Sequence, residues 1–354
     1  MSWRHLPALS ATIGLWLSPS APVAYVQTDT VRDAQWHLAA LRVETAHKIS
    51  QGEGVVVAVI DTGADASHPD LAGSLLAGAD LIGSSSDGRL DLDGHGTGMT
   101  GLIVAHGRAL GIAPAAKVLP VRVMVENIPV ADIAITNGVD WAVRNGADVL
   151  CIAMSVPDDS ALHDAIQRAI EADIVVVAGV GNDSRANAVA FPAAYDGVVA
   201  AGATDKTGEL AKISNTGPQL SLAAPGVGIV STDIEKEYRV GTGTSDSTAI
   251  IAGVAALVRS KYPSLSAREV VHRMTATATD KGPPGRDDGY GYGIVDPVAA
   301  LTADVPPLAT GDTSVPPSTQ EAPSDRPGWL IPVLAVVAVL IVGLILLVLL
   351  RRRR

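Results

Sequence analysis

Between residues 54 and 303 the chain alternates short apolar runs with longer stretches whose apolar positions recur every three to four residues. The runs at 55–60, 118–123, 149–154, 174–178 and 198–201 predict strands, and the stretches at 133–144 and 160–172 predict amphipathic helices. Strands that are apolar at nearly every position, rather than at every second one, fit a sheet covered on both sides. Alternation of such strands with helices predicts a parallel sheet flanked by helices, a three-layer α/β fold. Two further helical runs, at 99–106 and 249–258, are rich in small and apolar residues. Residues 25–50 form a polar, partly helical lead-in containing Gln35-Trp36-His37-Leu38, and no internal repeat is visible.

The two ends read differently. Residues 1–24 place Arg4 and His5 ahead of an apolar run at 6–17, then small residues and prolines up to Ala24. That is the layout of a secretory signal peptide, with the cut expected near Ala24. An N-terminal anchor is the alternative, although the run is short for a span. Residues 329–350 carry no charge and make a helix about 33 Å long, matching a bilayer core of about 30 Å. Arginines at 351–354 mark the cytoplasmic side, so everything before this transmembrane helix is expected outside. The predicted organisation is completed by a peptidase-like domain at 51–303 and a linker at 304–327. The linker has six prolines and, as extended polyproline II, reaches roughly 70 Å. About 25 residues separate the expected cut from Gln51, so no long pro-domain is expected, and the lead-in is expected to lie along the domain.

Composition narrows the function. Hydrophobic residues make up 47% of the chain and aromatics 3%, so the core must be aliphatic. The formal charge of −11 becomes −16 for residues 25–350, once Arg4 and the four terminal arginines are set aside. So acidic an ectodomain repels nucleic acid. Cys151 is the only cysteine, which excludes an intrachain disulfide and fits a bacterial cell surface. Neither His-Glu-x-x-His, nor clustered Cys and His, nor Gly-x-x-x-x-Gly-Lys-Ser/Thr occurs, so no metal or nucleotide cofactor is expected.

Three segments carry candidate chemistry. Asp61, in Asp61-Thr62-Gly63, ends an apolar strand, where functional groups of parallel sheets gather. An Asp there can fix the tautomer of a histidine. The same tripeptide serves aspartic proteases, but no second copy exists, so that route requires a homodimer. His95 lies in Gly94-His95-Gly96-Thr97, ahead of a helical run. The other histidines lack such a setting: His68 precedes Pro69-Asp70 in a turn, and His37, His47, His163 and His272 fall in polar stretches expected to be exposed. Ser245, in Gly243-Thr244-Ser245, starts a helix, as a nucleophile or merely as an N-cap. Asn182, on the turn after 174–178, can donate its amide to a developing oxyanion beside the Ser245 N–H.

The order Asp, His, Ser is that of subtilisin. Over residues 50–303 the chain resembles the subtilisin-like (S8) serine proteases: Asp-Thr-Gly, His-Pro-Asp-Leu at 68–71, Gly-His-Gly-Thr, the Gly-Asn turn, Ala-Ala-Pro-Gly at 223–226, Gly-Thr-Ser and Gly293-Ile294-Val295-Asp296 follow in family order. With its two ends, the architecture looks most like the mycosins, membrane-anchored proteases attached to actinobacterial type VII secretion systems. The resemblance implies a subtilisin-like fold and an endopeptidase acting on proteins or peptides outside the membrane. In it Asp61 orients, His95 is base and acid, Ser245 attacks and Asn182 supplies the oxyanion hole. It also implies a substrate edge at Ala153-Met154-Ser155 facing a wall at Ala178-Gly179-Val180, which clamp an extended peptide by strand addition. Calcium is common in the family, but no ligands are assigned here.

The sequence departs from the family after the nucleophile. Asp246, Ser247 and Thr248 follow Ser245, and Ala249 stands where a proline is usual. Met99-Thr100 replaces Val-Ala, and Cys151 replaces an asparagine. Asp246 either burdens a nearby oxyanion or points to solvent. These departures motivate a second reading, a protease-like scaffold subunit of a secretion complex with little turnover.

Overall fold

The apolar runs do form strands, and they line up in parallel. The computed structural model describes residues 30–83, 87–125, 132–183 and 188–308. The expected signal peptide (1–24), most of the linker, the apolar segment 329–350 and the arginines at 351–354 lie outside those residues. Among the described residues no helix is long and apolar enough to cross a membrane.

The lead-in is helical, with α1 (Thr30–Ala34), α2 (Trp36–Ala40) and α3 (Val43–His47). There follow β1 (Val56–Asp61), β2 (Ala79–Asp80), α4 (His95–Val104), β3 (Lys117–Arg122), α5 (Asp132–Arg144), β4 (Val149–Ile152), α6 (Ser160–Glu171), β5 (Val175–Gly179) and β6 (Val199–Thr204). The chain continues with β7 (Leu220–Pro225), β8 (Val227–Thr232), β9 (Tyr238–Thr242), α7 (Thr244–Lys261), α8 (Ala267–Ala276) and α9 (Pro297–Thr302). The main sheet has the order β2-β3-β1-β4-β5-β6-β7 with every pairing parallel, while β8 and β9 form a separate antiparallel pair. β1 and β3–β6 coincide with the five apolar runs, whereas β2, β7 and the β8–β9 hairpin lie outside them.

Successive residues of a strand point to opposite faces, and each face has its own core. Val57, Val59, Val118, Val175 and Val177 face α4, α7, α8 and the lead-in, whereas Ala58, Ile60, Leu119, Leu150 and Val176 face α5 and α6. Helix α7 runs through the first of these layers and is buried on every side, as expected of a helix without a polar stripe.

The sheet order also locates the cleft. β1 is an interior strand, and the chain pairs β3 on one side of it, then β4 on the other. Strand order reverses there, and crevices open at the carboxyl ends of strands flanking such a reversal. Asp61 is the last residue of β1, and Ala153 follows the last residue of β4.

The lead-in is strapped to the domain through main-chain groups. Arg32 donates to the carbonyls of Gly107 (2.6 Å) and Arg108 (3.2 Å). Gln35 Nε2 donates to Leu110 O (3.1 Å) and Val230 O (3.2 Å), and its Oε1 accepts from the Leu110 N–H at 2.8 Å. Trp36 Nε1 lies 3.2 Å from both Val227 O and Gly228 O. His37 corrects an expectation: it is fully buried rather than exposed, and neither ring nitrogen has a partner. Burial holds its pKa down to about 3, so the ring is neutral. Its polar neighbours in sequence concealed a helix docked on the domain.

Candidate functional site

Asp61 is fully buried at the end of β1. Its Oδ1 accepts the Thr62 N–H at 2.8 Å, and its two oxygens lie 2.8 and 3.0 Å from His95 Nδ1. His95 opens α4 and is the one residue of that helix that is not buried. Its helix start is held by a set of side-chain acceptors. Asp91 takes the N–H groups of Asp93 (3.0 Å), Gly94 (3.1 Å) and Thr97 (2.9 Å), and the Thr97 hydroxyl at 2.7 Å. Asp93 accepts the His95 N–H at 3.1 Å, and Thr62 Oγ1 accepts that of Gly96 at 2.8 Å. Orphan donors of a first helical turn are thereby satisfied, and carboxylates sit at the positive end of the helix.

Two effects compete at the imidazole. Burial disfavours the charged ring, but the Asp61 charge and hydrogen bond outweigh it, so His95 stays above its ordinary value. Arg239 opposes this and Asp246 adds to it.

Ser245 sits in the first turn of α7, after Gly243 as N-cap, so it is not itself the cap. It is the only residue from Thr244 to Val258 that is not buried. Its hydroxyl donates to Ala153 O at 3.1 Å, and no hydrogen bond joins it to His95 among the described residues. Asn182 is exposed on the turn after β5, and its Oδ1 accepts the Thr244 N–H at 2.9 Å. That bond leaves Nδ2 to donate. A Cβ on Gly243 would lie 3.3 Å from Asn182 Nδ2 and 3.6 Å from the Ser245 amide nitrogen. The glycine therefore leaves open a space that both donors border.

Of the expected substrate edge, Ser155 is exposed, Met154 partly so and Ala153 buried. The facing wall is different: Ala178, Gly179 and Val180 are all buried, with the Ala178 and Val180 side chains in the core beneath α5 and α6. Those two side chains are not available to a peptide. Asp246 corrects a second expectation, since it is 2% exposed and does not point to solvent. Burial pushes its carboxyl up to about 6 against the opposing charges of Arg239 and His95. Thr100 is buried with an unpartnered hydroxyl. His68 is in the expected turn, though buried, with Nδ1 accepting the Asp70 N–H at 3.1 Å. Cys151 is buried, and burial pushes its thiol up, so it is inert.

Three supporting residues, Asp91, Asn215 and Arg239, stand outside the segments expected to carry the chemistry. Asp91 was signalled only by its spacing to Gly94 and Thr97. Asn215 braces the Asn182 turn, accepting the Asp183 N–H at 2.8 Å and donating to Ala188 O at 3.0 Å. Arg239, on the unpredicted β9, reaches the first turn of α4.

Known proteins share this fold. Residues 52–293 match the profile of the peptidase S8, subtilase family. The chain is 37% identical over 257 residues to Subtilisin DY of Bacillus licheniformis, covering 71% of this chain and 92% of that one. It is 34% identical over 273 residues to the Minor extracellular protease Epr of Bacillus subtilis (strain 168), covering 76% of this chain but only 42% of Epr. Among solved structures, MycP1 with the N-terminal propeptide removed superposes with a TM-score of 0.70 at 29% identity, covering 77% of this chain and 98% of MycP1. MycP3 protease from the type VII (ESX-3) secretion system gives 0.67 at 34% identity, covering 76% and 88%.

Proposed function

The chain belongs to the subtilase family of serine proteases, and from that premise we propose that it is a membrane-anchored endopeptidase whose triad is Asp61, His95 and Ser245. The observation that carries this reading is the pairing of a buried Asp61 with a half-open His95, beside a helix whose only unburied residue in its buried stretch is Ser245. Asp61 holds Nδ1 protonated, which leaves Nε2 as the base. Ser245 turns from Ala153 O toward that nitrogen, gives up its proton, and its Oγ bonds to the scissile carbonyl carbon. Asn182 Nδ2 and the Ser245 N–H hold the resulting oxyanion. The C–N bond then breaks as His95 passes its proton to the amine, and water releases the acyl group by the same route. The peptide lies along Met154 and Ser155, while residues 178–180 stay buried in main chain and side chain alike.

Anchoring rests on the uncharged segment 329–350 with its terminal arginines, which sets the catalytic domain outside the cell membrane on the linker. The likeness to MycP1 and MycP3 supports a place beside a type VII secretion complex. Fluorophosphonate labelling of the full-length chain, read by intact mass, tests the chemistry. One adduct that is absent in Ser245→Ala is the expected result. A folded chain that takes no adduct would favour the scaffold reading, for which the Ser245–Ala153 bond and the buried Asp246 are the supporting observations.

A further inference from the structure

Asp246 directly follows Ser245, and its carboxyl is buried against Gly241 of β9. Arg239 and Gly241 are two residues apart on that strand and share one face. A Cβ on Gly241 would lie 2.6 and 2.8 Å from the two Asp246 oxygens, so the carboxyl fills the space the glycine leaves. On the same face Arg239 crosses the helix that carries His95: its Cδ and Nη1 lie 2.8 Å from where a Cβ on Gly98 would be. Arg239 Nη1 is buried and has no hydrogen-bond partner. One face of β9 thus reaches both first turns, that of α4 through the Arg239 side chain and that of α7 where Gly241 receives the Asp246 carboxyl. The charged groups acting on Asp246 are Arg239 of β9 and His95 of α4; those acting on His95 are Asp61 of β1, Arg239 and Asp246.

We propose that Asp246 is a positioning residue that works through His95: with Asp61 it places the imidazole under two carboxylates, favours the protonated ring, and so sets the pH above which His95 can take the Ser245 proton, with Arg239 as the opposing charge. The inference rests on the triad reading. Burial pushes the Asp246 carboxyl up to about 6, which puts its change of charge close to the range where a histidine titrates. The hold on His95 therefore strengthens as pH rises through that range. An apolar residue after the nucleophile would give no such dependence.

The test uses the full-length chain with carbon-13 at histidine Cε1, His95 being assigned by loss of its signal in His95→Gln. The titration midpoint of His95 is compared in the wild type, Asp246→Asn and Arg239→Gln, and the rate of fluorophosphonate modification of Ser245 is followed across the same pH range. Asp246→Asn should lower the midpoint and move the acid limb of labelling to lower pH. Relative to its own plateau, it should label about threefold or more faster than wild type at the acid end. Arg239→Gln should move both the other way. Midpoints and limbs unchanged in both variants, with only thermal stability altered, would overturn the proposal, as would shifts of the same sign. A wild type that takes no label would sink the triad reading, while the imidazole midpoints would still decide the role of Asp246.

Discussion

The two helices that present His95 and Ser245 begin in opposite ways. The first turn of α4 is held by side chains from separate segments, with Asp91, Asp93 and Thr62 taking its N–H groups. The first turn of α7 has a glycine cap with no side-chain bond, one N–H taken by Asn182, and a buried carboxyl in Asp246. His95 is held by many local bonds. Ser245 is held by the burial of the residues around it on α7, and its own hydroxyl donates to Ala153 O. Preorganisation is therefore concentrated on the α4 side, and adjustability on the α7 side.

Substitutions can break that contrast. The largest effect is expected from Asp61→Asn, which keeps the geometry but reverses the hydrogen-bond preference at Nδ1; labelling and peptide hydrolysis should fall by about 10⁴-fold. On the α7 side, Asn182→Ala removes both the amide proposed to hold the oxyanion and the acceptor for the Thr244 N–H. Steady-state kinetics should give a loss of about 10² to 10³ in kcat. Asp91→Ala leaves several buried donors at the α4 start without an acceptor. Chemical denaturation should show a loss on the order of 3 kcal/mol, with activity falling alongside.

Asp246→Asn should act in the reverse sense on stability. The folded-state carboxyl, at about 6, lies above its unfolded value, so the fold binds the extra proton. The contribution of Asp246 to stability is then full below its unfolded-state value and is lost as pH rises through about 6, by on the order of 2–3 kcal/mol in total. The asparagine variant should lack that slope and be the more stable protein at neutral pH, as denaturation midpoints at two pH values would show. The smallest change is expected from Thr100→Val, which removes a buried hydroxyl without a partner. A gain of about 1 kcal/mol should appear in the same assay.

The residues of the cleft were legible because chemistry demands particular types at strand ends and helix starts: Asp61, His95, Ser245 and Asn182 could be picked out without coordinates. The sheet was legible where strands were uniformly aliphatic. β8 and β9 escaped because they mix glycine, serine, threonine and charge. The segment that joins them bends through Glu235 and Lys236 with positive φ, where no glycine marks a turn. The start of α7 was anticipated at Ser245, but its burial escaped: Thr244 to Thr248 is polar in sequence, and only tertiary packing buries most of it. His37 shows the same limit at a single position, since nothing in a polar helix announces which face will be covered.

The strap formed by Arg32, Gln35 and Trp36 grips carbonyl oxygens of the domain, at residues 107–110 and 227–230, rather than side chains. Carbonyls are common to every amino acid. The surface under the strap can therefore drift in sequence without loosening it, whereas the three gripping side chains cannot. Across descendants of this chain, variation should accumulate on one partner of that contact alone.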